Sequence, residues 1–257
     1  MKTYIVNLPR CHDRRESILK ECARFDLEAE IFPGVDGREL SETELRELVS
    51  GQAREHLGRG EIGCAFSHLG IYRDMMGKNI PIALVLEDDS VFNLDPKPLL
   101  EELARQPIDD CTGVFLLTRK QSNHYIFHDR HRRQAGSINF YRGWDGYGAY
   151  GYIITRKAAA NICGFQTPLK FPIDFWRLYQ INDLIRLYIC EKEIIAIHPE
   201  LGAVSLLEND RNAGGRARER YFKYIRKHIH NQRPFRLKVK YFFFRLWHGP
   251  NLRKGGT

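Results

Sequence analysis

Ile82-Ala83-Leu84-Val85-Leu86-Glu87-Asp88-Asp89 is the stretch on which the reading of this chain turns. An unbroken apolar run with no polar alternation predicts a strand covered on both faces, the place of a central strand in a sheet with helices on either side. The run then breaks into three consecutive acids. In open α/β sheets ligands bind beyond the carboxyl ends of the strands, so this acidic end is the first candidate site. While the chain stays extended, residues two apart share a side, which aims Glu87 and Asp89 at one point and Asp88 away from it. Like charges aimed together repel unless a cation lies between them, and hard oxygen ligands suit Mg²⁺ or Mn²⁺. The plain alternative is a solvated acidic turn. Asp109-Asp110 is a useful contrast, since it precedes the apolar strand at Gly113 to Thr118 and so lies at the wrong end.

Upstream, Tyr4 to Leu8 reads as a buried strand closed by Pro9, and Asp13 is placed to cap a helix from Arg14 to about Phe25. A short strand at Ala29 to Phe32 follows, so the chain opens strand, helix, strand, the signature of an α/β unit. Pro33-Gly34-Val35-Asp36-Gly37 is a turn cluster, Ser41-x-x-Glu44 is a capping box for a helix to about Val49, and Ile62 to Met76 is helical. Downstream, 119 to 134 reads as a polar loop, and Gly143 to Gly151 as a glycine and aromatic loop. Tyr152 to Thr155 reads as a strand entering a helix from Lys157. A helix from about Phe175 to Ile189 and a strand at Ile194 to Ile197 complete the body. The expected organisation is one α/β domain over residues 1–208 and an extension over 209–257.

With 257 residues, 43% of them hydrophobic and 28% charged, the composition is that of a globular protein and excludes fibrous and disordered classes. The longest stretch without Asp, Glu, Lys or Arg runs from Ala158 to Leu169, too short for the ~20 apolar residues of a membrane-spanning helix. The strand at Lys2 to Leu8 leaves no room for a signal peptide, so the expected location is the cytoplasm. Six scattered cysteines form no C-x-x-C pair. The net charge of +8 is unevenly divided: residues 211–257 hold 14 Lys and Arg against a single acid, and the body is mildly acidic. That asymmetry argues against a nucleic-acid-binding face and for a tail meeting an anionic surface. Phe235, Tyr241, Phe242, Phe243, Phe244 and Trp247 among the cations describe an element of the headgroup region, peripheral on the inner face of the cytoplasmic membrane. The competing reading is a terminal helix packed on the body or on a protein partner.

Several short motifs recur in one order: Ile5-Val6-Asn7-Leu8 with Arg10, Arg14 and Arg15; Gly63-Cys64-Ala65-Phe66-Ser67-His68; Leu86-Glu87-Asp88-Asp89; Gly148-x-x-Gly151-Tyr152-x-Ile154-x-Arg156-Lys157-Ala158; and Pro172-x-Asp174. Together, over about 200 residues, they resemble glycosyltransferase family 25, the bacterial lipooligosaccharide galactosyltransferases related to the collagen galactosyltransferase domains. The resemblance implies a GT-A-like nucleotide-sugar-binding fold with a mainly parallel central sheet flanked by helices. It also implies a divalent metal, with Mn²⁺ preferred to Mg²⁺, and transfer of galactose from UDP-galactose to a lipooligosaccharide sugar with inversion at the anomeric carbon. By the same analogy Asp89 is the direct metal ligand, with Glu87 or Asp88 holding the metal shell or the ribose.

Asn7, Arg10 and Arg15 lie past another strand end, where an amide and guanidinium groups can hold uracil, ribose and diphosphate; the alternative leaves Arg14 and Arg15 solvated at a helix start. Ser67 and His68 are helix neighbours about 100° apart and cannot form a nucleophilic pair. The resemblance puts them behind the donor pocket. An inverting transferase needs a base for the acceptor hydroxyl. Asp174 is the first choice, with a helix N-cap as its competing role, and Asp145 is the second. His124, His128 and His131 sit among arginines and lack a metal-ligand spacing; His198 and Glu208 are weak further ligand candidates. Val204 stands where many relatives carry glutamine.

Overall fold

The computed structural model describes residues 1–106, 111–118, 125–127, 132–203, 215–248 and 252–254. In chain order the elements are β1 (Lys2–Asn7), α1 (His12–Ala23), β2 (Glu30–Pro33), α2 (Glu42–Leu48), α3 (Gly51–His56), α4 (Arg59–Gly77), β3 (Ile82–Glu87) and β4 (Ser90–Phe92). Then come α5 (Lys97–Arg105), β5 (Gly113–Leu116), β6 (Tyr125–Phe127), β7 (Arg132–Ala135), β8 (Ile138–Asp145), β9 (Gly151–Thr155), α6 (Arg156–Phe165) and α7 (Trp176–Ile181). The chain closes with β10 (Arg186–Cys190), β11 (Ile195–Ile197), α8 (Pro199–Ala203), α9 (Gly215–Gln232), α10 (Phe235–His248) and β12 (Leu252–Lys254).

The main sheet has the order β12-β6-β8-β10-β5-β9-β3-β1-β2, with β7 paired to β8. Taking β3 as up, β1, β2, β5, β6, β7 and β10 run with it, and β8, β9 and β12 oppose it. This is the α/β architecture that the sequence led us to expect, with seven of the ten strands running one way; β2-β1-β3 and β5-β10 pair in parallel and the other neighbours are antiparallel. Pleating sends alternate residues of β3 to opposite faces. Ala83 and Val85 join the core under α4 and α6 with Tyr152, Ile154 and Leu69. Ile82, Leu84 and Leu86 join the other core with Ile18 of α1 and Leu99 and Leu103 of α5. Both faces of β3 are therefore dry, which is why its sequence shows no polar alternation.

Five local expectations are corrected. The predicted helix from Phe175 to Ile189 is two elements, because Asp183 adopts φ 63° and the chain turns there. Leu187, Tyr188 and Ile189 then pair in parallel with β5. Asp13 lies inside the first turn of α1, whose N-cap is Cys11. The long helix begins at Arg59, with Gly58 as N-cap and Glu61 accepting from its backbone nitrogen at 3.1 Å. The polar loop contributes strands at Tyr125–Phe127 and Arg132–Ala135, and the glycine and aromatic loop is strand as far as Asp145. The Ser41 capping box forms as read, with Ser41 and Glu44 bonding reciprocally.

The C-terminal helices pack on the body. Tyr221, Ile225 and Ile229, spaced four apart on one face of α9, enter the core under α4 and α6. Tyr241 of α10 donates its hydroxyl to the Gln180 carbonyl, Lys240 pairs with Asp183 at 2.7 Å, and Phe244 stacks on Trp144 at 5.8 Å. Phe235, Phe242, Phe243 and Leu246 remain exposed. Among the described residues no helix is long and apolar enough to cross a membrane.

Candidate active site

The chain leaves the extended conformation after Glu87, the last residue of β3, and turns at Asp88 and Asp89 before β4. The alternation expected of an extended acidic run stops there. Glu87 turns to α4, where its Oε1 accepts from Cys64 Sγ at 3.8 Å and lies 3.4 Å from His68 Nε2. Asp88 and Asp89 converge instead on a single arginine. Arg14 Nη1 donates to Asp88 Oδ1 at 2.9 Å and to Asp89 Oδ2 at 3.3 Å, and its Nη2 donates to the Leu201 carbonyl at 2.7 Å. Asn7, at the end of the neighbouring β1, donates Nδ2 to Asp88 Oδ2 at 2.7 Å and to the Cys11 carbonyl at 3.0 Å. A strand end, a helix start and a turn thus meet at one point because β1 and β3 are parallel neighbours in register.

Electrostatically the corner is loaded with negative charge. Burial pushes Asp88 up, against the bonds from Arg14 and Asn7 that hold it down. Burial, then the nearby Glu87 carboxylate, push Asp89 up to about 7 in spite of Arg14. Asp89 Oδ1 is buried and has no hydrogen-bond partner among the described residues. The residues therefore fit a divalent cation: an orphaned acceptor, a carboxylate raised by its own kind, and a second acid beside it are what a hard ion relieves. His198 lies alongside, its backbone nitrogen donating to the Asp89 carbonyl at 2.7 Å, while its Nδ1 accepts from Glu200 and Leu201 in the first turn of α8.

A second donor set sits behind it. The ligand atoms of Cys64, His68 and Glu87 all lie within 4.8 Å of one another. His68 is fully buried, with Nδ1 2.7 Å from the Tyr152 hydroxyl, which in turn lies 2.7 Å from the Tyr72 hydroxyl. Burial drives both tyrosines well above their ordinary range, so the chain of groups is uncharged at the phenols. Ser67 is buried too, its Oγ accepting from the Val35 nitrogen and donating to the Gly63 carbonyl, each at 2.8 Å. That bond ties α4 to the turn after β2. Gly63 permits the approach, since a Cβ there would meet the Val35 carbonyl oxygen at 2.4 Å.

The loop from Asp145 to β9 separates the two candidate bases. Tyr150 closes it on the acidic turn, its carbonyl accepting from the Glu87 nitrogen at 3.1 Å and from the Ser90 hydroxyl. Gly148, at φ +85°, is held on both sides: its nitrogen donates to Asp174 Oδ2 at 3.2 Å and its carbonyl accepts from Trp176 Nε1 at 2.9 Å. Asp174 thus belongs to the loop that borders the carboxylates. It does not cap α7, whose N-cap is Phe175. Asp145 is buried at the other end of the loop, where Arg177 Nη1 approaches its Oδ2 at 3.4 Å.

Of the arginines, Arg10 pairs with Asp36 and Arg15 is exposed on α1, whereas Arg14 is the one that enters the site. Sequence reasoning passed over Arg14, and also Cys64. The signal for Arg14 was its spacing: position 14 lies two residues into a helix that starts beside the end of β1. His124, His128, most of the polar loop, Val204 and Glu208 lie outside the described residues, as does His131.

An acidic turn at the carboxyl end of a central strand, backed by an amide and a guanidinium in an α/β sheet, is in keeping with the GT-A-like fold that the sequence motifs led us to expect. A family model described as Glycosyltransferase family 25 (LPS biosynthesis protein) matches residues 1–176, and the chain belongs to that family. It is 30% identical over 186 residues to a Glycosyltransferase 25 family member of Aedes aegypti, covering 66% of this chain and 29% of that protein. It is 25% identical over 173 residues to Procollagen galactosyltransferase 2 of Mus musculus, covering 63% and 27%. The chain spans less than a third of the length of these relatives. Among solved structures, a glycosyltransferase involved in glycosylation of the major capsid of PBCV-1 superposes with a TM-score of 0.32 at 11% identity, covering 65% of this chain and 66% of that one.

Proposed function

We propose that this chain is an inverting glycosyltransferase that moves galactose from UDP-galactose to a lipooligosaccharide sugar, assisted by a divalent cation, Mn²⁺ before Mg²⁺. The observation that carries the reading is Asp89 Oδ1, buried and unpartnered in the acidic turn. Support for galactose comes from the name of the mouse relative, and support for a lipooligosaccharide acceptor from the family description. The exposed phenylalanines of α10 and the basic tail support a place on the inner face of the cytoplasmic membrane, with residues 1–208 as the transferase body.

In this reading Asp89 and Glu87 would hold the cation, which would supply charge neutralisation for a diphosphate leaving group. Asp88, fixed by Asn7 and Arg14, shapes the nucleotide side of the pocket with Ser67 and His68 behind it. Arg10 and Arg15, nearer the surface, meet the nucleotide from outside. Asp174 takes the proton from the acceptor hydroxyl as its oxygen attacks the anomeric carbon, and the bond to the diphosphate oxygen breaks on the opposite face. The hydrogen bond from Gly148 orients that carboxylate.

Calorimetric titration of UDP-galactose, UDP-glucose and UDP-N-acetylgalactosamine, each with and without Mn²⁺, tests the proposal. UDP-galactose is expected to bind tightest and only with the metal. Equal binding of all three, or binding indifferent to Mn²⁺, overturns it.

A further inference from the structure

A cavity of about 850 Å³ lies between the body and the C-terminal helices. It is of the size that holds a small organic ligand. Its walls are apolar and aromatic, with Trp144, Phe175 and Tyr241 among them, and its charged groups are almost all of one sign. Arg177 of α7, Arg226 and Lys227 of α9, Arg233 in the turn after α9, and Lys238 of α10 line it with a single acid, Asp145. In the sheet β8, which delivers Asp145, is four positions from β3, roughly 19 Å at the usual strand spacing.

Arg233 supplies an independent observation that points to a ligand. It is 94% buried, being 6% exposed, and its Nε has no hydrogen-bond partner among the described residues. Its other nitrogens are used internally, Nη1 donating to the Ile181 carbonyl at 3.2 Å and Nη2 meeting His230. A buried guanidinium N–H left unpaired is costly unless an acceptor fills the place. Arg177 and Arg226 lie over the rings of Trp144 and Phe175, at 5.1 and 5.8 Å, so two of the cations are held in place by aromatic faces. Guanidinium forks so fixed suit the tetrahedral oxygens of phosphate.

We infer that this cavity is a binding site for a phosphate-bearing ligand, with Arg233 Nε as an inner donor and Arg226, Lys227 and Lys238 at the rim. The phosphate is either that of a lipid headgroup or that of a free phosphomonoester. Phe242 and Phe243 both line the cavity and stand exposed, which gives an acyl chain an apolar exit. The site does not depend on the transferase reading, because no residue given a role in that reading lines the cavity.

The test compares two triple variants of equal charge change. Arg226→Gln, Lys227→Gln and Lys238→Gln remove rim cations; Arg220→Gln, Lys223→Gln and Arg236→Gln remove exposed cations of the same two helices outside the cavity. Binding is measured to phosphatidylcholine vesicles with and without phosphatidic acid, and to soluble glycerol phosphate. The rim variant is expected to lose at least about tenfold more affinity than the control for whichever phosphate binds. Vesicle binding without glycerol phosphate binding assigns a lipid; glycerol phosphate binding without vesicle binding assigns a free ligand, and either supports the site. Equal losses in the two variants would reduce it to diffuse surface charge and overturn the proposal, as would failure of the wild-type chain to bind either ligand. Tighter binding of duplex DNA than of either phosphate, lost equally in both variants, also overturns it. Donor titrations on both variants, run alongside, keep any failure here distinct from failure of the transferase reading.

Discussion

Replacing Asp89 with Asn is expected to stabilise the metal-free protein and to abolish transfer. Asp89 is partly buried, its Oδ1 has no partner among the described residues, and its pKa is raised from an ordinary 3.8 to about 7, first by burial and then by Glu87. In the unfolded chain it ionises at the ordinary value. Between the two values the folded protein keeps a proton that the unfolded chain has lost, so stability falls as pH rises through that window. Below it both states are protonated and Asp and Asn are equivalent. At about 1.4 kcal/mol per unit, a gap of roughly three units sets a ceiling of about 4 kcal/mol on what the wild type lacks above pH 7. The variant also weakens the 3.3 Å bond from Arg14, a loss of about 1 kcal/mol. The net gain of about 3 kcal/mol at about pH 8 corresponds to a rise in Tm of roughly 6–12 °C for a chain of this size. Near pH 5 the gain shrinks to under about 1 kcal/mol. Thermal unfolding in EDTA at the two pH values reads this directly, and added Mn²⁺ is expected to stabilise the wild type alone. A variant no more stable than wild type at the higher pH, or one that Mn²⁺ stabilises equally, refutes the account of the corner.

Arg14→Gln leaves the buried Asp88 and the partly buried Asp89 without their cation and is expected to cost up to about 3–5 kcal/mol at neutral pH by urea unfolding, part of it restored by adding Asp88→Asn. For the base, Asp174→Asn is expected to lower kcat by about 10²–10⁴ with KM little changed, while Asp145→Asn keeps kcat near wild type; the reverse pattern exchanges their roles. Gly63→Ala sets a Cβ against the Val35 oxygen and the Gly37 nitrogen at 2.4 and 2.5 Å, and two backbone obstacles should carry the loss past the ~1–3 kcal/mol of ordinary overpacking. Gly164→Ala in α6, with nothing within 4 Å of its Cβ, is the control and should gain up to about 1 kcal/mol.

What could be read from the chain is what local chemistry dictates. The two-faced burial of β3 is written in Ile82 to Leu86, and the capping box in Ser41 and Glu44, because each needs only neighbours in sequence. The segment from Phe175 to Ile189 defeats such reading: Trp176, Leu178 and Tyr179 suit a helix, but Leu187 to Ile189 are drawn into the sheet by β5, a partner about seventy residues away. The acids were found, yet their directions were not. Alternation predicts where side chains point only while the strand lasts, and β3 stops at Glu87. Nor does the sequence reveal that α9 reaches the core through Tyr221, Ile225 and Ile229, since a strongly basic segment announces its charged face first.

The sequence argument asked for a cation among the acids, and the structure supplies one of its own in Arg14. That does not remove the place for a metal; it divides the oxygens. Both oxygens of Asp88 already accept from protein donors, Oδ1 from Arg14 and Oδ2 from Asn7. Asp88 is thereby fixed and partly neutralised, the condition of a positioning residue. Asp89 gives one oxygen to the same guanidinium and keeps the other, Oδ1, buried and unpaired. An arginine that holds one edge of a carboxylate turns its free edge in a set direction, and it lowers the repulsion that three adjacent acids would otherwise bring to folding. The site can then fold before its ion arrives, with one acceptor still unsatisfied, and that remaining acceptor is the reason Asp89 rather than Asp88 is the residue on which metal binding should depend.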